Sequence, residues 1–249
     1  MRLAPATHLV GKLLNFDSSV GVSYPTPSPF GLGQILMAEP TDGADFTANV
    51  PNWGPSELMF VRYVGGTALA PGRLVVVDKD WTITDMPNTG NTGRQVYVTL
   101  SRFEIGSVTA QYGWVMRSGV APIQATAGTA TGPVYFSAAG QANSTAAAGK
   151  QILNMSTLLA PTSSFTRQVT TQNGSKKLKL ARVNGLFVGQ AVSGTGIAGS
   201  SVIASIDPGG NFVMLNNNMT ATGTVTGTFT ATGFFIAQFD RPFVQGQIT

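Results

Sequence analysis

The sequence predicts an all-β protein, and three observations carry that expectation. Short runs rich in β-branched and aromatic residues recur along the chain. Gly-, Pro- and Asn-rich turns separate them, and no stretch carries a helical apolar stripe. The first runs are Leu58–Val64, Arg73–Val77, Gln95–Ile105, Tyr112–Arg117 and Val134–Phe136, with an evident loop at 87–93 (PNTGNTG). Residues 138–150 are alanine-rich, but Gly140, Asn143, Ser144 and Gly149 interrupt them and no face is apolar, so a helix is not expected there. Many short strands with no helices between them argue for a sandwich or a barrel.

A second β series occupies residues 163–232. Phe165–Thr171 and Lys176–Val183 flank Asn173-Gly174, the dipeptide of a type I′ hairpin turn. Phe187–Val192, Ser200–Ile206, Phe212–Leu215 and Gly223–Phe229 follow, with a turn at Asp207-Pro208-Gly209-Gly210. After Thr232, Phe234–Phe239 reads as a buried strand.

Residues 1–55 differ from the rest. Pro25, Pro27 and Pro29 alternate, and Pro40, Pro51 and Pro55 follow, which favours an extended chain. Leu13, Leu14, Phe16, Phe30, Leu32, Ile35, Leu36, Met37, Phe46 and Trp53 punctuate this segment. An extended arm that apolar must pack along its own domain or across a neighbour. Phe16, Tyr24, Phe30, Phe46 and Trp53 are the candidate inter-subunit contacts, because such a segment has little core of its own. Of the other large aromatics, Trp81, Tyr112 and Trp114 are assigned to core or interface alike.

Only 10% of the residues are charged, against roughly 25% in an ordinary soluble domain. Hydrophobic residues make up 43%, enough for a core in one large β domain or two small ones and too many for a disordered chain. A chain so poor in ionisable groups is a poor enzyme and a poor solitary surface. The net charge of +4 lies wholly in residues 161–232, where Arg167, Lys176, Lys177, Lys179 and Arg182 face a single acid, Asp207. Lys177 and Lys179 alternate with Leu178 and Leu180, so Lys176, Lys177, Lys179 and Arg182 read as an exposed basic patch on a strand rather than a nucleic-acid track.

Candidate chemical sites are few. Gly194-Thr195-Gly196-Ile197-Ala198-Gly199 spells the dinucleotide fingerprint, but a strand-like segment follows it and no βαβ pattern surrounds it, so a loop between strands is expected. Asp78, Asp80 and Asp85 could offer oxygens to a cation, yet they lack calcium-loop spacing and read as a solvated turn. These three with Glu104 are the carboxylates that a polysaccharide-cleaving enzyme would need to bring together. One histidine, His8, and no cysteine leave no set for a structural zinc. No catalytic residue, cofactor or metal is assigned. No secretory leader or membrane helix is read in the sequence, so no membrane partner is expected.

Residues 188–229 carry Gly189-x-x-Val192-x-Gly194-x-Gly196-Ile197 and close on Thr220-Ala221-Thr222-Gly223. This is similar to a small β module of tailed-bacteriophage structural proteins. The flanking pieces Gly65–Gly72, Gly132–Phe136, Ala148–Leu153 and Phe234–Phe243 resemble head decoration (cement) proteins of such phages. In that family a small β-barrel ends with a strand soon after Gly-Lys-x-Ile. Here residues 154–233 intervene, so the resemblance implies an insertion. Beside the Pro-rich arm at 1–55, which the resemblance does not cover, this gives a shell-binding β-barrel at 56–160 plus 233–249 and an inserted, outward, sandwich-like β domain at 161–232. It further implies a homotrimer on the outer capsid surface, made in the host cytoplasm, with the major capsid protein as partner, while the sparse charge and Thr/Gly/Asn-rich loops of the insert suit a host-surface glycan as its partner. The alternative is a tail or fibre component that recognises a bacterial surface.

Overall fold

The computed structural model describes residues 3–5, 31–40, 47–103, 110–128, 131–207 and 211–246. Among these residues there are seventeen strands and no helix, so the chain is all-β with barrel elements. Eleven strands form one branched sheet: β1 (Leu3–Pro5), β2 (Ile35–Pro40), β3 (Ser56–Tyr63), β4 (Leu74–Val77), β5 (Ile83–Asp85), β6 (Tyr97–Thr99), β7 (Gln111–Ala127), β8 (Gly132–Ala138), β9 (Gln141–Asn143), β10 (Gln151–Leu159) and β17 (Phe234–Val244). The other six are β11 (Ser164–Thr171), β12 (Lys177–Leu180), β13 (Ala191–Ser193), β14 (Ser201–Ile206), β15 (Phe212–Leu215) and β16 (Gly223–Thr230).

Strand β7 organises the large sheet. Its first half pairs with β3 and β6, and its second half pairs with β17 from Ser118 to Gln124. Near its end Ala125 pairs in parallel with Ala142 of β9. That last contact closes β7, β17, β10, β8 and β9 into a ring. Ile123, Val134, Phe136, Ala142 and Ile152 of this ring belong to the largest core, which continues through Leu58, Phe60, Leu74 and Trp114.

The run Leu58-Met59-Phe60-Val61 is apolar without alternation because both faces of β3 are covered. Leu58 and Phe60 point into the largest core, while Met59, Val61 and Tyr63 belong to a second one with Leu69, Val75, Ile83, Phe103 and Val115. β4 splits the same way, Leu74 and Val76 against Val75. The run expected over 95–105 shortens to β6. At its end Ser101 Oγ accepts the Trp114 N–H at 3.1 Å, a side chain taking the place of a ladder carbonyl.

The described parts of the N-terminal segment pack on the chain's own sheet. β2 lies antiparallel to β3, with Ile35 opposite Met59, and β1 lies on its other side. Leu36, Ala38 and Trp53 are buried in the largest core.

Residues 164–230 form a closed six-stranded barrel, in the order β11-β12-β15-β14-β13-β16 with β16 returning to β11. The sandwich-like insert expected from sequence is therefore a barrel, and closure removes the free edges a sandwich would keep. Phe165, Val169, Leu178, Val192, Ile203, Val213, Leu215 and Phe229 fill it, with Phe165 and Phe229 stacked at 5.5 Å. Gln172 C=O accepts the Ser175 N–H at 3.0 Å, and only Gly174 has positive φ (75°). The Asn173-Gly174 turn thus has one left-handed residue where type I′ requires two.

The barrel leaves the sheet after β10 and returns at β17, and these two strands are antiparallel neighbours. Side chains cross the junction in both directions. Phe187 of the barrel segment enters the largest core, edge-on to Trp53 at 6.4 Å and to Phe234 at 5.2 Å. Val50 enters the barrel core, and Asn49 Nδ2 donates to Ser164 O at 3.2 Å. Gly189, at φ 91°, lies under the Phe234 ring; a Cβ there would sit 2.8 Å from its Cζ.

Candidate functional site

The outer face of the barrel is built by simple alternation. In β12, Leu178 and Leu180 are buried while Lys177 and Lys179 are exposed. In β11, Thr166, Gln168 and Thr170 face out; in β16, Thr224 and Thr226 do. The registers place Thr224, Thr170, Lys179 and Phe212 in one row across four strands. Lys177 Nζ sits 3.8 Å above the Phe212 ring, a cation–π contact that fixes its position.

Strands β11 and β12 stay in register only at Val169–Leu180 and Thr170–Lys179. Beyond Leu180 they part, and Arg167 Nη1 bridges the gap by donating to Arg182 O at 3.1 Å. An open depression of about 580 Å³ results, lined by Gln168, Thr170, Lys177, Lys179, Asn211 and Thr224 among others. The basic patch read from sequence therefore borders a concavity. The sequence signal for its polar lining is the Thr-x-Gln-x-Thr and Thr-x-Thr alternation at 166–170 and 224–226, which charge alone does not reveal. Lys176 is exposed at the head of the patch.

A second depression, of about 780 Å³, lies on the large sheet, lined by Pro55, Ser118, Asn154, Gln238 and Asp240 among others. Beside it Glu57 joins Arg117 Nε at 3.3 Å and Arg241 Nη2 at 3.0 Å. The hydrogen bond and charge of Glu57 hold the Arg241 guanidinium above its ordinary pKa. Asn154 (φ 59°) and Arg241 (φ 45°) are left-handed where β10 and β17 lose register between Leu153 and Met155.

The third surface is apolar. Leu36 and Ala38 of β2 point inward, leaving Ile35 and Met37 47% and 46% exposed. Leu32 is exposed beside them, and the exposed Trp81 indole lies on Gly33.

The aromatics divide between these settings. Phe16, Tyr24, Phe30 and Phe46 lie outside the described residues. Trp53 is 7% exposed and serves the internal junction rather than the surface. Trp114 is wholly buried against Phe60, and Tyr112 stacks on Phe60.

Of the candidate carboxylates, the described Asp78, Asp80 and Asp85 each have a separate partner and do not converge. Asp85 is held by Arg73, whose Nε donates to Oδ1 at 3.1 Å. Asp78 Oδ1 accepts the N–H groups of Asp80 and Thr82, each at 2.9 Å, and the Thr82 bond leads the causes that lower its pKa. Asp80 meets Lys79 in solvent, and Glu104 lies outside the described residues. Among the described residues no group of three His, Cys, Asp or Glu is placed to hold a metal. The Gly194–Gly199 segment is the loop between β13 and β14, two antiparallel strands.

No family model, curated protein or solved structure matches this chain.

Proposed function

We propose that the chain is a non-enzymatic structural protein of a tailed-phage virion that coats the outer capsid surface as a trimer and bridges major capsid subunits. The observation that carries this reading is the apolar surface of Leu32, Ile35, Met37 and Trp81 on a chain with little surface charge. Half-exposed side chains of this size each gain about 1 kcal/mol when covered. Attachment at several points multiplies the effect across a shell. The resemblance of residues 65–72, 132–136, 148–153 and 234–243 to cement proteins points the same way. A tail or fibre component that recognises a bacterial surface is the second reading, favoured by the polar depression on the barrel.

The test adds the protein to shells that lack it and measures coating and resistance to heat. Wild type is expected to coat and protect. Ile35→Asp with Met37→Asp should fold, since both side chains face solvent, and should no longer bind. A variant that coats and protects as well as wild type would overturn the bridging role of this surface.

A further inference from the structure

We propose that the depression on the barrel's outer face binds an acidic polysaccharide, with Lys177 and Lys179 meeting its anionic groups and Gln168, Thr170, Asn211 and Thr224 its hydroxyls. The inference stands apart from the shell reading, because it concerns the free chain.

Charge decides the sign of the ligand. Lys177 and Lys179 occupy one face of one strand, and none of the ion pairs among the described residues involves either. The single acid of residues 161–232, Asp207, follows β14 and does not line the depression. Two neighbouring like charges are relieved by an anion, and Lys177 is already positioned by Phe212.

The lining decides the class. The side chains of Gln168, Thr170, Asn211 and Thr224 make no hydrogen bond to another described residue, and all four are exposed. Together they offer hydroxyl and amide donors and acceptors, the groups that match sugar hydroxyls. The volume falls within the range of small-ligand sites, about 300–1,000 Å³. Its open shape lets a polymer pass along the Thr face. A nucleic acid is the poorer match. Bases are held by aromatic faces, and the one aromatic in this row, Phe212, has its face under the Lys177 ammonium.

The test uses the full-length protein with four probes: polygalacturonate, neutral dextran, inorganic polyphosphate and oligothymidine. Polygalacturonate is expected to bind at least about tenfold more tightly than the other three. Lys177→Gln with Lys179→Gln should weaken it by about tenfold or more, and Gln168→Ala with Thr170→Val by several-fold, all at unchanged melting temperature. The second pair keeps every charge, so its loss separates sugar recognition from ionic attraction. Single Gln168→Ala serves if the pair folds poorly. Equal binding of polyphosphate or oligothymidine, or a Gln168/Thr170 variant that binds like wild type, would overturn the proposal.

Discussion

The large sheet and the inserted barrel solve the same problem with different means. In the sheet, β3 and β4 are buried on both faces, and two cores share strands. Its ladders are bent by bulges, and among the described residues five of the six non-glycine residues with positive φ (Asn49, Trp81, Asn91, Asn154 and Arg241) lie in it or its loops. The barrel has one core, one dry face and one wet face, with Ser200 its single such residue among those described. Charge follows the division: the ion pairs Arg73–Asp85, Arg117–Glu57 and Arg241–Glu57 belong to the sheet, whereas the barrel's lysines face solvent. Register shifts recur where the sheet curls into its ring, at β7–β9, β8–β9, β8–β10 and β10–β17, against one among the described residues of the barrel, at β14–β15. The barrel, with a single interior, keeps an outer face free for a ligand.

The largest effects are expected from emptying each core separately. Phe60→Ala and Phe229→Ala should each cost about 3–5 kcal/mol. In calorimetry the first should lower the melting of the sheet and the second that of the barrel. Equal loss of both bodies in each variant would show one cooperative unit. Phe187→Ala attacks the junction, where one ring touches Trp53 and Phe234. It should cost about 3 kcal/mol and separate the two transitions further.

Glu57→Gln sharpens the charge contrast. It removes the partner of a mostly buried Arg117 and should destabilise the sheet by about 1–3 kcal/mol while leaving the barrel unchanged. The smallest effect is expected at Asp78. Its lowered pKa means that the turn's hydrogen bonds are intact above the ordinary carboxylate range. They are lost as pH falls through the lowered value. Acid titration followed by amide NMR should show Asp80 and Thr82 N–H moving together, and Asp78→Ala should abolish that movement without a change in fold.

Legibility in the sequence follows the same divide. The barrel's strands are short, alternate cleanly and are bounded by glycine, so Phe165–Thr171, Ser200–Ile206 and Phe212–Leu215 are read within a residue or so. Closure was not legible, because pairing of β16 with β11 is a contact across the whole module. In the sheet, Leu58–Val64 is evident from its apolar run. β7 is not, since Gly119 and Pro122 inside Gln111–Ala127 read as an end, although pairing with β17 carries the strand through both. β2 hides beside prolines and is made a strand by β3. The basic patch was visible as charge alone. The depression beside it depends on where β11 and β12 part, and local sequence does not encode that separation.

The measurement that bears most directly on the functional account is the copy number of this chain in purified virions relative to the major shell protein. The account predicts a number comparable to the shell subunits. A number far below it would contradict the coat role and place the chain in the tail or at a vertex.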